Sequence, residues 1–301
     1  MIAREIALAL GGGRREGRGW RCRCPLHRGN SLTLRDGRTQ LLVRCWSGCS
    51  AADILAELRA RGLIKGLNER VYPWRQEALR QREAAVLQAE IARLRRRIAG
   101  ARAVYGRGAA AGGSPVEVYL RSRGITIPLP PVLRWVRHCL HRNGRYYPAM
   151  VAPIVDVDGE QTAVHKTFLR PDGAGKADLP KAEQRETGGL LKGGAVRLAP
   201  PRDGKIVIAE GLESALAAMQ LFDLPGWAAI YAGGIATLEL PAEVRTVLIA
   251  ADHDANGVGQ RAALVAYQRW TGERRTARIL LPPTAGQDFN DVLGEVEQSG
   301  Q

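Results

Sequence analysis

The chain has 301 residues, enough for two compact units with a connecting segment and few for a third large core. Its 44 Lys and Arg against 30 Asp and Glu leave a formal net charge of +14, which calls for a polyanionic partner, because each cation set on a phosphate releases condensed counterions. No stretch approaches the roughly 20 uninterrupted apolar residues of a spanning helix, which argues against a membrane role and leaves nucleic acid as the expected partner.

Residues 1–66 hold four of the five cysteines. Met1–Leu10 carries Arg4 and Glu5 inside its only apolar run, breaking the hydrophobic core that a secretory signal needs and pointing to the cytoplasm. In that reducing compartment a cysteine cluster is expected to ligate metal. Ser31–Arg35 alternates with period two, Asp36-Gly37 makes a turn, and Leu41–Arg44 returns, which predicts a hairpin. Ser50 and Asp53 form a capping box for a helix whose apolar face is Ile54, Leu55 and Leu58, ending at Gly62. Cys24-Pro25-Leu26-His27 and Cys45-Trp46-Ser47-Gly48-Cys49 flank the hairpin as two ligand pairs, C-x2-H and C-x3-C. Thiolate and imidazole donors in that arrangement suit one tetrahedral Zn2+ with a closed, structural shell. Cys22 is an alternative to Cys24, and Cys139, with no second pair nearby, is expected to be a core cysteine.

Residues 67–113 form the next segment. From Trp74 to Tyr105, Leu79, Val86, Leu87, Ile91, Leu94 and Ile98 recur at helical spacing, which predicts a long amphipathic helix with a basic run at Arg93, Arg95, Arg96 and Arg97. Gly106–Gly113 reads as a flexible linker. Residues 114–200 read as a basic α+β segment with strands at Ala152–Val157 and Gln161–Phe168 around an Asp158-Gly159 turn.

Residues 201–301 alternate strands and helices: Lys205–Ala209, a helix from Leu212, Trp227–Ala232, Thr246–Ala251, a helix over Val258–Trp270, and Arg278–Leu281. That order predicts an α/β fold with a mostly parallel sheet covered by helices. Glu210 leaves the C-terminal end of the first strand, and Asp252 and Asp254 leave that of a later one, the rim where open parallel sheets hold ligands. Carboxylates gathered there repel one another unless a cation lies between them, and hard oxygen donors suit Mg2+, with Mn2+ as an alternative. Asp288, in Gly286-Gln287-Asp288-Phe289-Asn290-Asp291, is a further candidate ligand.

Cys24, His27, Cys45 and Cys49 with the intervening hairpin resemble the zinc-ribbon domain of bacterial and phage primases. The C-x3-C pair departs from the C-x2-C of replicative primases and is closer to the phage and plasmid branch. In that family the ribbon engages template DNA, which makes Arg28 and Arg44 candidates for phosphate contact and Trp46 a candidate for base stacking. Glu-Gly after one strand, Asp-x-Asp after another and the trailing acidic motif resemble the Toprim domain of primases, topoisomerases and some nucleases, over about residues 202–295. The resemblance implies a Rossmann-like parallel sheet with flanking helices, Glu210 as general acid or base, and Asp252 and Asp254 as magnesium ligands. Glu-Gly-Leu-Glu-Ser-Ala-Leu, with Glu213, is typical of the phage and plasmid type. The position of residues 114–200 resembles the basic subdomain that precedes Toprim in primases, so Lys166, Lys176 and Lys181 are candidate phosphate contacts.

A zinc ribbon beside a Toprim domain implies a magnesium-dependent DNA primase that builds short primers on single-stranded DNA from nucleoside triphosphates, in phage or plasmid replication. A Toprim nuclease and a non-catalytic DNA-binding replication accessory are the alternatives. No Gly-x4-Gly-Lys-Ser/Thr loop occurs, so a separate helicase is an expected partner.

Overall fold

The computed structural model describes residues 2–38, 40–64 and 73–299, without the side chains of 73–79, 297 and 299. It divides into two compact units, Met1–Gln88 and Ala89–Gln301.

In the first unit an antiparallel sheet runs in the order β1 (Arg14–Glu16), β2 (Gly19–Cys22), β3 (Leu32–Asp36), β4 (Leu41–Cys45), after helix α1 (Ile2–Leu10) and before α2 (Ala51–Ala60). β3 and β4 are the expected hairpin, with Leu34 opposite Val43. Its alternation turns Leu32 and Leu34 into an apolar cluster with Ile6, Ile54 and Leu58. Ser50 caps α2: its Oγ accepts from the Asp53 backbone N–H at 3.1 Å and donates to Asp53 Oδ2 at 2.7 Å, a device worth about 1 kcal/mol. The N-terminal run is helical. Arg4 and Glu5 fall on the outer face of α1, and Ala3, Ile6 and Ala7 on the buried one.

Helix α3 (Pro73–Gly106) contains the expected amphipathic stretch, and the division between units falls inside it. Its apolar stripe is unevenly covered: Val86 and Leu87 are exposed, Ile91, Leu94 and Ile98 are half-buried and Ala101 is buried. Leu79 lies outside the described side chains, and the boundary expected at 66/67 falls in residues 65–72, outside the described residues. Arg97 is tied down, donating to the Gly189 carbonyl at 2.8 Å.

The second unit continues with β5 (Ala109–Ala110), α4 (Pro115–Ser122), β6 (Arg134–Leu140), β7 (Tyr146–Val155), β8 (Gln161–Phe168) and β9 (Arg185–Gly189), strands that form an antiparallel sheet in chain order. The supposed linker therefore contains β5, paired to β6. Chain reversal there needs a close approach, since a Cβ at Gly108 would collide with that of Arg134. Then come β10 (Val196–Arg197), β11 (Lys205–Ala209), α5 (Leu212–Phe222), β12 (Gly226–Ala228), α6 (Ala232–Thr237), β13 (Thr246–Ala250), α7 (Val258–Gly272), β14 (Thr276–Leu280) and α8 (Phe289–Ser299).

The sheet order β10-β12-β11-β13-β14 is parallel except at β10. Its central strands β11 and β13 are near-continuous apolar runs because both faces are covered. Val207 and Ala209 of β11 turn to one core with Ala215 and Leu216 of α5, while Ile206 and Ile208 turn to the other with Ala263, Ala266 and Trp270 of α7. The expected strand Trp227–Ala232 stops at Ala228, and Ala232 opens α6. The reversal brings Gly234 against the Ala229 carbonyl, where a side chain has no room. The expected division at residue 200 separates no compact units: Met150, Ala152 and Ile154 share one core with Val207, Ala209 and Leu212.

Candidate active site

In the first unit the Cys24, Cys45 and Cys49 sulfurs and a His27 ring nitrogen all lie within 4.8 Å of one another. His27 Nε2 is 3.2 Å from Cys45 Sγ, and Ser31 Oγ is 3.3 Å from that sulfur. Burial raises the Cys45 pKa, but hydrogen bonds from Ser31 and His27 outweigh it and bring the thiol down to about 5, so a thiolate is ready to ligate. Three thiols and one imidazole on a hairpin and its flanks fit Zn2+ in a structural shell. Cys22 stands apart in the apolar core, where burial pushes its thiol up to about 11, so Cys24 is the member of the set. Cys139 is likewise a buried core residue. Beside the cluster, Trp46 is 57% exposed, donates from Nε1 to Thr33 Oγ1 at 3.0 Å and carries the Arg44 guanidinium 4.0 Å above its ring. Arg28 is exposed and in the left-handed region, φ 59°.

In the second unit the register Ala209↔Ala250 sets the ends of β11 and β13 side by side, so Glu210 and Asp252 leave the sheet as neighbours. Asp254 is oriented by the start of α7: the Gly259 N–H donates to its Oδ2 at 3.2 Å. His253 pins this turn to the loop before α8, with its backbone N–H donating to the Gln287 carbonyl (3.0 Å) and its carbonyl accepting from Gly286 (2.7 Å). That link brings up Asp288, whose Oδ1 caps α8 by accepting from Asn290 (2.7 Å) and Asp291 (3.0 Å). Asp288 thus spends one oxygen on the helix. All four acids line one cavity of ≈ 820 Å³.

The electrostatics of this cavity favour a cation. Burial, then Glu210, Asp288 and Asp254, raise Asp252 to about 7, and burial with Asp254 also raises Glu210. Asp252 Oδ1 is buried and without a hydrogen-bond partner. A desolvated, unpartnered carboxylate oxygen among like charges is the position a divalent ion compensates. Among the described residues only the cysteine-histidine set closes three or more donors within 4.8 Å, so the acids line a wider site. That breadth suits Mg2+, which keeps several of its waters.

Comparison with known families accounts for this unit in two stretches. Residues 95–198 match a domain of unknown function (DUF7146), and residues 205–298 match the Toprim domain family. Residues 205–298 are a Toprim domain. No curated protein sequence matches the chain. Among solved structures it is similar to the primase fragment of the bacteriophage T7 primase-helicase protein, at 17% identity over 61% of this chain and 66% of that one, TM-score 0.41. It is also similar to the zinc-binding and RNA polymerase domains of the Aquifex aeolicus primase, at 14% identity over 99% of this chain and 82% of that one, TM-score 0.42. The chain spans just under two thirds of the phage fragment.

The same cavity is also lined by cations: Lys176, Lys181, Arg123 and Arg185. Lys176 is held by Glu213 at 2.9 Å, and the Tyr119 hydroxyl donates to the same carboxylate at 2.8 Å. Burial alone would raise Glu213, but Lys176 and Tyr119 hold it at about 2, so it stays ionised and fixes the ammonium at the cavity wall. Lys166 departs from the expected grouping: it lies outside this cavity and pairs with Glu186 at 2.5 Å, beside Arg142. Sequence reasoning missed Arg123 and Arg185. Arg185 is legible only once β9 is seen to bring it to the end of β11, because nothing in its local sequence marks it off from the other arginines.

Proposed function

We propose that the chain is a DNA primase that joins nucleotides by magnesium-dependent nucleotidyl transfer on a single-stranded template, in a phage or plasmid replication setting and alongside a separate helicase. The observation that carries this reading is one cavity lined both by the acids Glu210, Asp252, Asp254 and Asp288 of the Toprim stretch and by the cations Lys176, Lys181, Arg123 and Arg185 of the segment before it. A nucleoside triphosphate is an anion that must bring a divalent ion with it, and this cavity offers both counter-surfaces. Bound Mg2+ would supply neutralisation of the phosphate charge that develops in the transition state.

The chain's own groups would do the rest. Lys176, locked by Glu213, and Arg185 orient the triphosphate. The 3'-hydroxyl of one nucleotide attacks the α-phosphorus of the next, the bond to the β-phosphate oxygen breaks and pyrophosphate leaves. Glu210, with its pKa raised above the ordinary carboxylate value, is suited to take the hydroxyl proton. In the first unit, Trp46 and Arg44 form a stacking and phosphate-contacting pair suited to single-stranded template.

Incubation of the purified chain with single-stranded DNA, nucleotides and Mg2+ should give short oligonucleotides that Asp252→Asn and Asp254→Asn abolish while DNA binding persists. Nicked plasmid in place of oligonucleotide would replace this reading with a nuclease, and unchanged product from both variants would remove the acids from catalysis.

A further inference from the structure

A second cavity, of ≈ 310 Å³, shares Arg185 with the first as a lining residue. Its walls are His165 of β8, Thr187 of β9, Leu191, and Ile230 and Tyr231 from the turn between β12 and α6. His165 is 4% exposed. Its Nε2 lies 3.2 Å from Thr167 Oγ1, whereas its Nδ1 is buried with no hydrogen-bond partner. Burial holds the imidazole pKa at about 4, so the ring is neutral at physiological pH and can meet a neutral polar group. A buried ring nitrogen left without a partner calls for an explanation, and a ligand atom supplies one.

The turn opposite is strained. Ile230, a β-branched residue, adopts φ +73°, a region such side chains rarely occupy and that structures retain chiefly at functional sites. Its backbone N–H donates to the Glu210 carbonyl at 2.7 Å, so the strain is held by the residue that also carries the acid of the neighbouring cavity. Tyr231, 38% exposed, follows directly and presents an aromatic group at the cavity.

We propose that this second cavity receives the base of a nucleoside triphosphate whose phosphates lie in the Toprim cavity, with His165 Nδ1 bonded to the edge of the base and Tyr231 against its face. The assignment rests on the nucleotidyl-transfer reading and adds the base-recognition residues to it. Phosphate is the poorer occupant, because the cations Lys176, Lys181 and Arg123 all belong to the first cavity and Glu186, which lines the second, is negative. A planar neutral head joined to an anionic tail suits an apolar and aromatic pocket that meets a cationic one at Arg185.

The test is equilibrium binding to the full chain with Mg2+, comparing the four ribonucleoside triphosphates with inorganic triphosphate. At least one nucleotide is expected to bind about tenfold or more tightly than triphosphate. His165→Phe and Tyr231→Ala are each expected to weaken nucleotide binding about tenfold and leave triphosphate binding unchanged. Equal affinity of the wild type for nucleotides and triphosphate overturns the base pocket, as does an equal loss for both ligands in the variants. Binding of neither ligand overturns nucleotidyl transfer as well, so the two failures are distinguishable. Should His165→Phe not fold, Tyr231→Ala, at an exposed position, decides the matter by the same comparison.

Discussion

Asp252→Asn tests the central electrostatic claim without an activity assay. In the folded protein the Asp252 carboxyl is raised from 3.8 to about 7 by burial and by Glu210, Asp288 and Asp254. The folded state therefore holds a proton that the unfolded chain has released between pH 4 and pH 7. This contribution to stability is fully present below the unfolded pKa and is lost as pH rises through the folded one. At 1.36 kcal/mol per pH unit the interval corresponds to about 4 kcal/mol, which solvent screening in an open cavity reduces to ~2 kcal/mol. With metal chelated at pH 8, the variant should thus be more stable than the wild type by ~2 kcal/mol, a rise in Tm of about 4–8 °C for a unit of this size. Saturating Mg2+ reverses the order, because it stabilises the wild type by about 2.7 kcal/mol at a hundred times Kd and has lost a ligand in the variant. Calorimetry or dye-monitored melting at pH 5, 6, 7 and 8, with EDTA and with Mg2+, reads all of this. A chelated wild type that melts at one temperature across that range, or a variant that melts below it in EDTA, would refute the crowding of charge on which the magnesium site depends.

Three further outcomes are expected. One zinc per chain should be measured by metal analysis; Cys24→Ser and Cys45→Ser should lose it and make residues 1–64 protease-sensitive, whereas Cys22→Ser should keep it. Glu213→Ala should lower Tm by roughly 10 °C, since breaking a buried ion pair costs about 3–5 kcal/mol, and should weaken triphosphate binding by freeing Lys176; a variant as stable as the wild type would deny Glu213 its positioning role. Trp46→Ala should reduce affinity for single-stranded DNA by about 1–3 kcal/mol with an unchanged salt slope in fluorescence titrations, because a stacking contact releases no counterions.

What the sequence made legible follows from how local each signal is. Ile206–Ala209 and Val247–Ala250 are buried on both faces and so read as strands without knowledge of their neighbours, and an acid directly after such a strand is located by topology alone. The ligand pairs around the β3–β4 hairpin are equally local. Where the sequence misled, the deciding partner was remote or the local pattern ambiguous. Gly106–Gly113 looked loose because its small residues answer to β6, some twenty-five positions on. Lys166 and Arg185 are indistinguishable in kind as basic residues, and their fates diverge because Glu186 neutralises the first while the pairing of β8 with β9 delivers the second to the acids.

The core that runs from Ile154 to Leu216 has a consequence for anyone dividing or exchanging parts of this molecule. A cut between the two matched families, near residue 200, passes through interlocked side chains and leaves each piece with a raw oily flank. Chimeras that graft a foreign catalytic half onto this chain must therefore import the complementary flank too, or repack it residue by residue, before any question of chemistry arises.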